Sequence, residues 1–233
     1  MLILAIETTG PNCSVALLDN DSVITEIQSE DVLNHLQTLT PMIEELMNMT
    51  GHNVKDMDRI AVSVGPGSFT GIRIGVSTAR ALSQVTGIKL TAVPTLFAFG
   101  CGERDGDKVI CPVFDARRNQ VYAGAYRDCE EIVRGGPYML DGFLEKLEPY
   151  DDFYFIGDGL NPYEEAIKKW AADHDKKIET GLKYQTAGYV AEMAADMQKN
   201  PETFGNCLDM EYEQLEPNYM RMAEAERKLK EKK

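Results

Sequence analysis

Glu7, Thr8, Thr9 and Ser14 bracket a turn at Gly10-Pro11-Asn12. A carboxylate and hydroxyls around a tight turn could serve a metal ion from its outer shell and donate to an anion. The same residues suit a capped turn with a solvated carboxylate. A second polar turn, Asp115-Ala116-Arg117-Arg118-Asn119, follows an apolar run. An Asp before two Arg could face an anion or a partner's carboxylate, or close an ion pair inside the turn. Asp158 sits in Gly157-Asp158-Gly159 after another apolar run, a pattern compatible with a nucleotide loop and common in ordinary turns. Glu7, Thr8, Asp115 and Asp158 are therefore the candidate cofactor contacts.

Other chemistry is not supported. His35 lies on a helical stretch, where a second His four residues on would make a metal pair, but that position is Leu39. His52 and His174 fall in or near turns, and no Ser-His-Asp or Cys-His set is indicated. The five cysteines are scattered, with no Cys-x-x-Cys, which argues against a zinc site or disulfide framework and for a reducing cytoplasm. No catalytic or metal-binding residue is assigned.

The most distinctive stretch is Ser63-Val64-Gly65-Pro66-Gly67-Ser68-Phe69-Thr70-Gly71-Ile72-Arg73-Ile74-Gly75. It joins a strand to a long helix ending near Gly87. No Gly-Lys-Ser/Thr follows the glycines, and their spacing is not that of a dinucleotide fingerprint. Gly71, Gly75, Ala79 and Ser83 recur every four residues and line one helix face. A glycine inside a helix costs about 1 kcal/mol relative to alanine, so the row needs a reason. It packs on its own sheet or the first helix, on another molecule, or on both along different parts of the helix. The second reading gives an interface of Leu36, Leu39, Ile43, Gly71, Ile72, Gly75, Val76 and Ala79.

The elements that must position these groups alternate regularly. Strands are predicted over Leu2–Ile6, Cys13–Leu18 and Ser22–Ile27, then a helix over Val32–Met49 that Pro41 should kink or break. A strand over Ile60–Val64, the joint, its helix and a strand over Lys89–Val93 follow. After a polar linker over Gly102–Asp107 come strands at Val109–Phe114, Gln120–Tyr126 and Glu131–Arg134. A helix over Asp141–Leu147, a strand over Phe153–Ile156 and helices over Pro162–Ala172 and Thr186–Gln198 complete the second half. An acidic stretch at 209–216 and Pro217 lead to a C-terminal helix. The repeated β-β-β-α-β-α order predicts an α/β protein of the actin-like, ribonuclease H-like ATPase fold, with two duplicated lobes. The predicted division is 1–104, 105–208 and a C-terminal segment, 209–233, packing back on the first lobe.

The net charge of −14, from 38 acidic and 24 basic residues, argues against gripping RNA alone. No apolar run approaches the roughly 20 residues of a membrane span. The first residues read as a strand and lack a signal peptide's basic region.

The chain resembles the TsaB (YeaZ) family. The match includes Leu2-Ile3-Leu4-Ala5-Ile6-Glu7-Thr8-Thr9, Ser14-Val15-Ala16-Leu17 and Leu39-Thr40-Pro41-Met42-Ile43. It is strongest from Val64 to Gly75. It continues through Ala92-Val93-Pro94-Thr95-Leu96 and Asp115 to Tyr122, and closes at Pro217-Asn218-Tyr219-Met220-Arg221. It departs where Glu7 replaces the usual Asp and where Asn34-His35-Leu36-Gln37 replaces an Arg/His-Ser-Glu sequence. The resemblance implies an inactive paralogue of the catalytic subunit TsaD, without the latter's His-x-x-x-His metal site. It implies a scaffold that binds TsaD through its N-terminal half, recruits the ATPase TsaE and meets tRNA only through the complex. That complex transfers threonylcarbamoyl to the adenosine beside the anticodon and uses ATP, with no cofactor for this subunit. A homodimer is expected when the subunit is alone. An independent small actin-like ATPase or kinase is the alternative, and a peptidase a third, unsupported by any nucleophile or metal set.

Overall fold

The computed structural model describes residues 1–29, 34–103 and 107–220. Ten strands form two separate five-stranded sheets, ordered β3-β2-β1-β4-β5 and β10-β9-β6-β7-β8. The first lobe contains β1 (Leu2–Glu7), β2 (Ser14–Asp19), β3 (Ser22–Gln28), α1 (His35–Thr50), β4 (Arg59–Gly65), α2 (Phe69–Thr86), β5 (Lys89–Pro94) and α3 (Thr95–Gly102). The second repeats the order with β6 (Val109–Asp115), β7 (Gln120–Arg127), β8 (Glu130–Met139), α4 (Leu140–Leu147), β9 (Asp152–Ile156), α5 (Leu160–Asp173), β10 (Lys177–Gly181) and α6 (Ala187–Lys199). In each sheet the first strand runs antiparallel to the second and parallel to the fourth. This is the predicted actin-like α/β architecture. No helix among the described residues is long and apolar enough to cross a membrane.

The apolar strands explain the layering. β1 and β4 are buried on both faces, so they read as continuous hydrophobic runs. One face packs on α1 and α2 through Leu4, Ile6, Val62, Leu39, Ile43, Ile72 and Val76. The other packs on α6 through Ile3, Ala5, Ala61, Val190 and Ala194.

Several elements depart from the expected ones. The sequence pattern predicts no helix at α3, whose residues Thr-Leu-Phe-Ala-Phe-Gly-Cys-Gly are apolar on all sides and show no polar stripe of helical period. β10 was missed for the opposite reason, being a short, polar edge strand. β8 runs beyond the predicted Arg134, through Gly135, Gly136 and Pro137, because an edge strand tolerates a missing N–H. α1 is continuous through Pro41 rather than broken there. Pro41 and Gln37, whose carbonyl loses its partner, are both exposed, so water can serve that carbonyl. The predicted helix start at Val32, part of the linker and the C-terminal helix fall outside the described residues.

The two halves also exchange helices. α3 packs on β6 and β7 of the second sheet, whereas α6 packs on β1 and β2 of the first. Residues 187–199, grouped by chain order with the second lobe, thus cover the first sheet. Beyond them the chain returns along the first lobe as a strap. Leu90 and Met210 exchange backbone hydrogen bonds of 3.0 Å, Arg59 pairs with Asp209 and Lys89 with Glu211. Leu215 is fully buried in the core beneath α1 and α2. Replacing Leu215 with Ala should remove about 2–5 kcal/mol of stability, read as a lowered denaturation midpoint with unchanged slope. A midpoint equal to that of the parent would show that the strap does not anchor the lobe.

Candidate functional site

The joint and the β1–β2 turn are one unit. Glu7, Thr8 and Thr9 are buried. The Ser68 amide donates to the Thr9 carbonyl at 2.8 Å, and the Thr8 hydroxyl donates to the Gly71 carbonyl at 2.8 Å. Ser68 caps α2, its Oγ accepting from the Gly71 amide at 3.2 Å. A Cβ on Gly71 would lie 1.9 Å from the Thr8 carbonyl oxygen, and one on Gly75 would lie 2.4 Å from Thr8 Oγ1. The glycine row therefore lets the first turns of α2 approach the end of β1. On the far side of the joint, the Asn218 amide donates to the Val64 carbonyl at 2.8 Å, and Tyr219 stacks on Phe69 with centroids 4.7 Å apart.

Most polar groups of the turn bond within the chain, while Glu7 Oε2, His35 Nδ1 and Gln185 Oε1 are buried with no hydrogen-bond partner among the described residues. The Thr9 amide donates to Glu7 Oε1. Burial raises the Glu7 carboxyl above its usual range, opposed by the Ser63 and Thr9 hydroxyls and the Thr9 and Gly10 amides. Ser63 and Thr95 share a 2.7 Å hydroxyl contact, and Thr95 Oγ1 accepts from the Gly65 amide at 3.1 Å, tying β4 to the start of α3. Gln185 Nε2 donates to Thr9 Oγ1 at 3.2 Å, and the Ala187 amide donates to Ser14 Oγ at 2.8 Å. His35 Nε2 lies 3.0 Å from the Gly10 carbonyl oxygen. Glu7 and Thr8 thus cement the turn from inside. Gln185, Thr95 and Asn218 were not anticipated, because each acts from a segment remote in sequence.

The second lobe brings Asp115 and Asp158 together. The Asp115 amide donates to Asp158 Oδ1 at 3.2 Å. Asp115 Oδ1 accepts from the Arg117 amide at 2.7 Å and the Tyr163 hydroxyl at 3.4 Å. The turn is closed by the Arg117 backbone, and Arg117, Arg118 and Asn119 all take left-handed conformations. Burial, then the nearby Asp115 charge, pushes Asp158 up to about 6. Among the described residues no three His, Cys, Asp or Glu side chains are grouped to hold a metal ion.

The proposed interface set is corrected. Leu39, Ile43, Gly71, Ile72, Gly75, Val76 and Ala79 are buried within this chain, and only Leu36, 77% exposed, reaches solvent. The small-residue row faces inward because the end of β1 occupies it. The outward stripe of α2 is instead Phe69, Arg73, Ser77, Ala81 and Val85, and that of α1 includes Leu36, Thr40 and Glu44.

Two outcomes follow from these contacts. Gly71→Ala should cost about 3 kcal/mol, because the obstructing atom is backbone, and Gly75→Ala about 2 kcal/mol, because turning the Thr8 side chain away breaks its buried bond to the Gly71 carbonyl. Equal melting temperatures for both variants and the parent would refute this packing. For Asp158 the folded pKa lies above the unfolded value of 3.8. Its contribution is fully present below pH 3.8 and is lost as pH rises through about 6. Asp158→Asn should therefore gain stability relative to the parent between pH 4 and 7, measured by denaturant titration. A constant difference over that range would contradict the buried carboxylate.

Comparisons with known proteins agree with this geometry. A family model described as TsaD, tRNA N6-adenosine threonylcarbamoyltransferase, matches residues 26–229. The tRNA threonylcarbamoyladenosine biosynthesis protein TsaB of Bacillus subtilis (strain 168) is 34% identical over 239 residues, covering 98% of this chain and 97% of its own. YeaZ from Pseudomonas aeruginosa superposes with a TM-score of 0.72 at 26% identity, over 94% of this chain and 99% of that one. A ROK hexokinase from Thermus thermophilus, with a TM-score of 0.53 at 10% identity over 86% of this chain and 99% of its own, shares the fold alone. These matches place the chain in the TsaB (YeaZ) family, named for tRNA threonylcarbamoyladenosine biosynthesis.

Proposed function

We propose that this chain is a non-catalytic scaffold for threonylcarbamoyl transfer to the adenosine beside the tRNA anticodon. It binds the catalytic subunit TsaD, supports recruitment of the ATPase TsaE, and meets tRNA only through that complex. ATP is used by the complex, with no cofactor held by this subunit. The observation that carries this reading is the buried turn at Glu7–Gly10. A kinase of this fold needs that turn open to phosphate; here the joint, Gln185 and Glu7 occupy it.

The outer faces of α1 and α2 supply the docking surface. Ser77 and Ala81 are small and exposed in mid-helix, so a partner helix can approach closely between Phe69 and Val85. Val85 is 75% exposed, and Arg73 stands 5.3 Å from the Phe69 ring centroid. The same surface serves a second copy of the chain about a two-fold axis when TsaD is absent.

The test is reconstitution from purified subunits. The chain alone should neither hydrolyse ATP nor modify tRNA, and tRNA modification should require it together with TsaD, TsaE and the threonylcarbamoyl donor. Ala81→Arg should weaken association with TsaD at least ~10-fold and leave the melting temperature within about 1 °C, as expected of a surface change. ATP turnover by the pure chain would favour the small-ATPase reading. Undiminished association of Ala81→Arg would remove α2 from the interface.

A further inference from the structure

The two sheets are linked through α3 and α6. α3 leaves the first sheet to pack on the second, α6 leaves the second to pack on the first, and the helices pack on each other. Any change in the angle between the lobes must slide or part this pair. Glu103, the C-cap of α3, sits at its crossing with its side chain 11% exposed. One carboxylate oxygen accepts from the Tyr189 hydroxyl on α6. The other accepts from Lys183 Nζ at 2.7 Å, on the link between β10 and α6. Lys183 Nζ also lies 5.6 Å from the ring centroid of Tyr154 on β9. Glu103 is therefore bonded at once to the helix that covers the first sheet and to the segment that leaves the second.

Packing tightens the same crossing. A Cβ on Gly102 would lie 2.2 Å from the Tyr189 ring, and one on Gly100 would lie 2.2 Å from the Tyr126 ring of β7. Tyr189 also packs on Phe99, with ring centroids 5.7 Å apart. The Glu103 side chain is 11% exposed and that of Lys183 46% exposed. The partly buried Tyr189 contact and the ring packing therefore hold the geometry, and the charge-assisted bond to Lys183 adds direction to it. Sliding α3 along α6 would separate Glu103 from both donors and drive the rings into the helix backbone.

We infer that Glu103, with Tyr189 and Lys183, is a pin that fixes the angle between the lobes within the polypeptide. The angle between the two sheets then stays the same whether or not nucleotide is present. Glu103 is a positioning residue here and touches no reacting group.

The test measures the distance between spin labels carried on non-natural amino acids at Asn48 in α1 and Glu165 in α5, both exposed. Hydrogen exchange of α3 and α6 is followed in parallel. The parent should show one narrow distance distribution that Mg-ATP does not move. Glu103→Ala should broaden it, and α3 amides should exchange ~10-fold faster. Glu103→Gln, which keeps an acceptor for Tyr189, should fall between. If Glu103→Ala does not fold, Tyr189→Phe, which removes only the hydroxyl, should broaden the distribution less than full loss of the carboxylate is expected to. A folded Glu103→Ala with the parent's distribution, or Tyr189→Phe with it where Glu103→Ala fails, would overturn the inference. So would a parent distribution that shifts on adding Mg-ATP.

Discussion

The approach of α2 to the end of β1 is the constraint on which the first lobe depends. The Thr8 carbonyl and hydroxyl stand where side chains of positions 71 and 75 would be, so glycine at both positions lets the helix reach them. That approach sets the Thr8 hydroxyl on the Gly71 carbonyl and the Ser68 amide on the Thr9 carbonyl. Once these bonds form, the turn is buried, and most of its polar groups are served from within, with Glu7 Oε2, His35 Nδ1 and Gln185 Oε1 left unpartnered among the described residues. Glu7, His35 and Gln185 converge on it from β1, α1 and the approach to α6. The cost of two helical glycines is thus offset by a close contact that orders three other elements.

Much of this was legible in the sequence. The repeated order of strands and helices gave the fold, because each apolar run and each amphipathic helix carries its own period. The glycines at 71 and 75 announced a close approach, but spacing alone does not say what approaches. The direction was decided by Thr8, some sixty positions away in the chain. That is why residues such as Ile72, Val76 and Ala79, read as a surface for another molecule, lie instead in this chain's core. The outward stripe at Phe69, Arg73, Ser77, Ala81 and Val85 recurs every four residues as well, but its mixture of aromatic, basic, small and aliphatic side chains marks no face, and it emerged only once the inward face was fixed. Gln185 carries no local signature, and the family motifs that contain Thr95 and Asn218 do not say what those residues touch, since their partners belong to other segments. α3 shows the same limit: apolar on every side, it gains its identity from the two sheets between which it lies.

The duplicated lobes have diverged in how they treat their turns. In the first lobe the β1–β2 turn is sealed by its own helix joint. In the second, Asp115 remains exposed and Asp158 half-buried beside it, so the equivalent turn stays open to water. Burial therefore acts on Glu7 more completely than on Asp158, although both carboxyls are pushed upward. A lobe sealed in this way is suited to presenting a firm outer surface, and its α1 and α2 faces are the surface proposed for docking. The strap reinforces the same joint from outside, through Asn218 on Val64 and the stack of Tyr219 on Phe69.

The central claim is that the first turn is closed by the chain's own contacts. The most direct measurement follows the amide signals of Thr9, Gly10 and Ser68 by nuclear magnetic resonance, with hydrogen exchange, during titration with Mg-ATP. The account predicts that these amides exchange only with global unfolding and do not move as nucleotide is added. Fast exchange at Thr9 and Ser68, or a saturable shift of their signals with Mg-ATP, would show an open phosphate turn and contradict it.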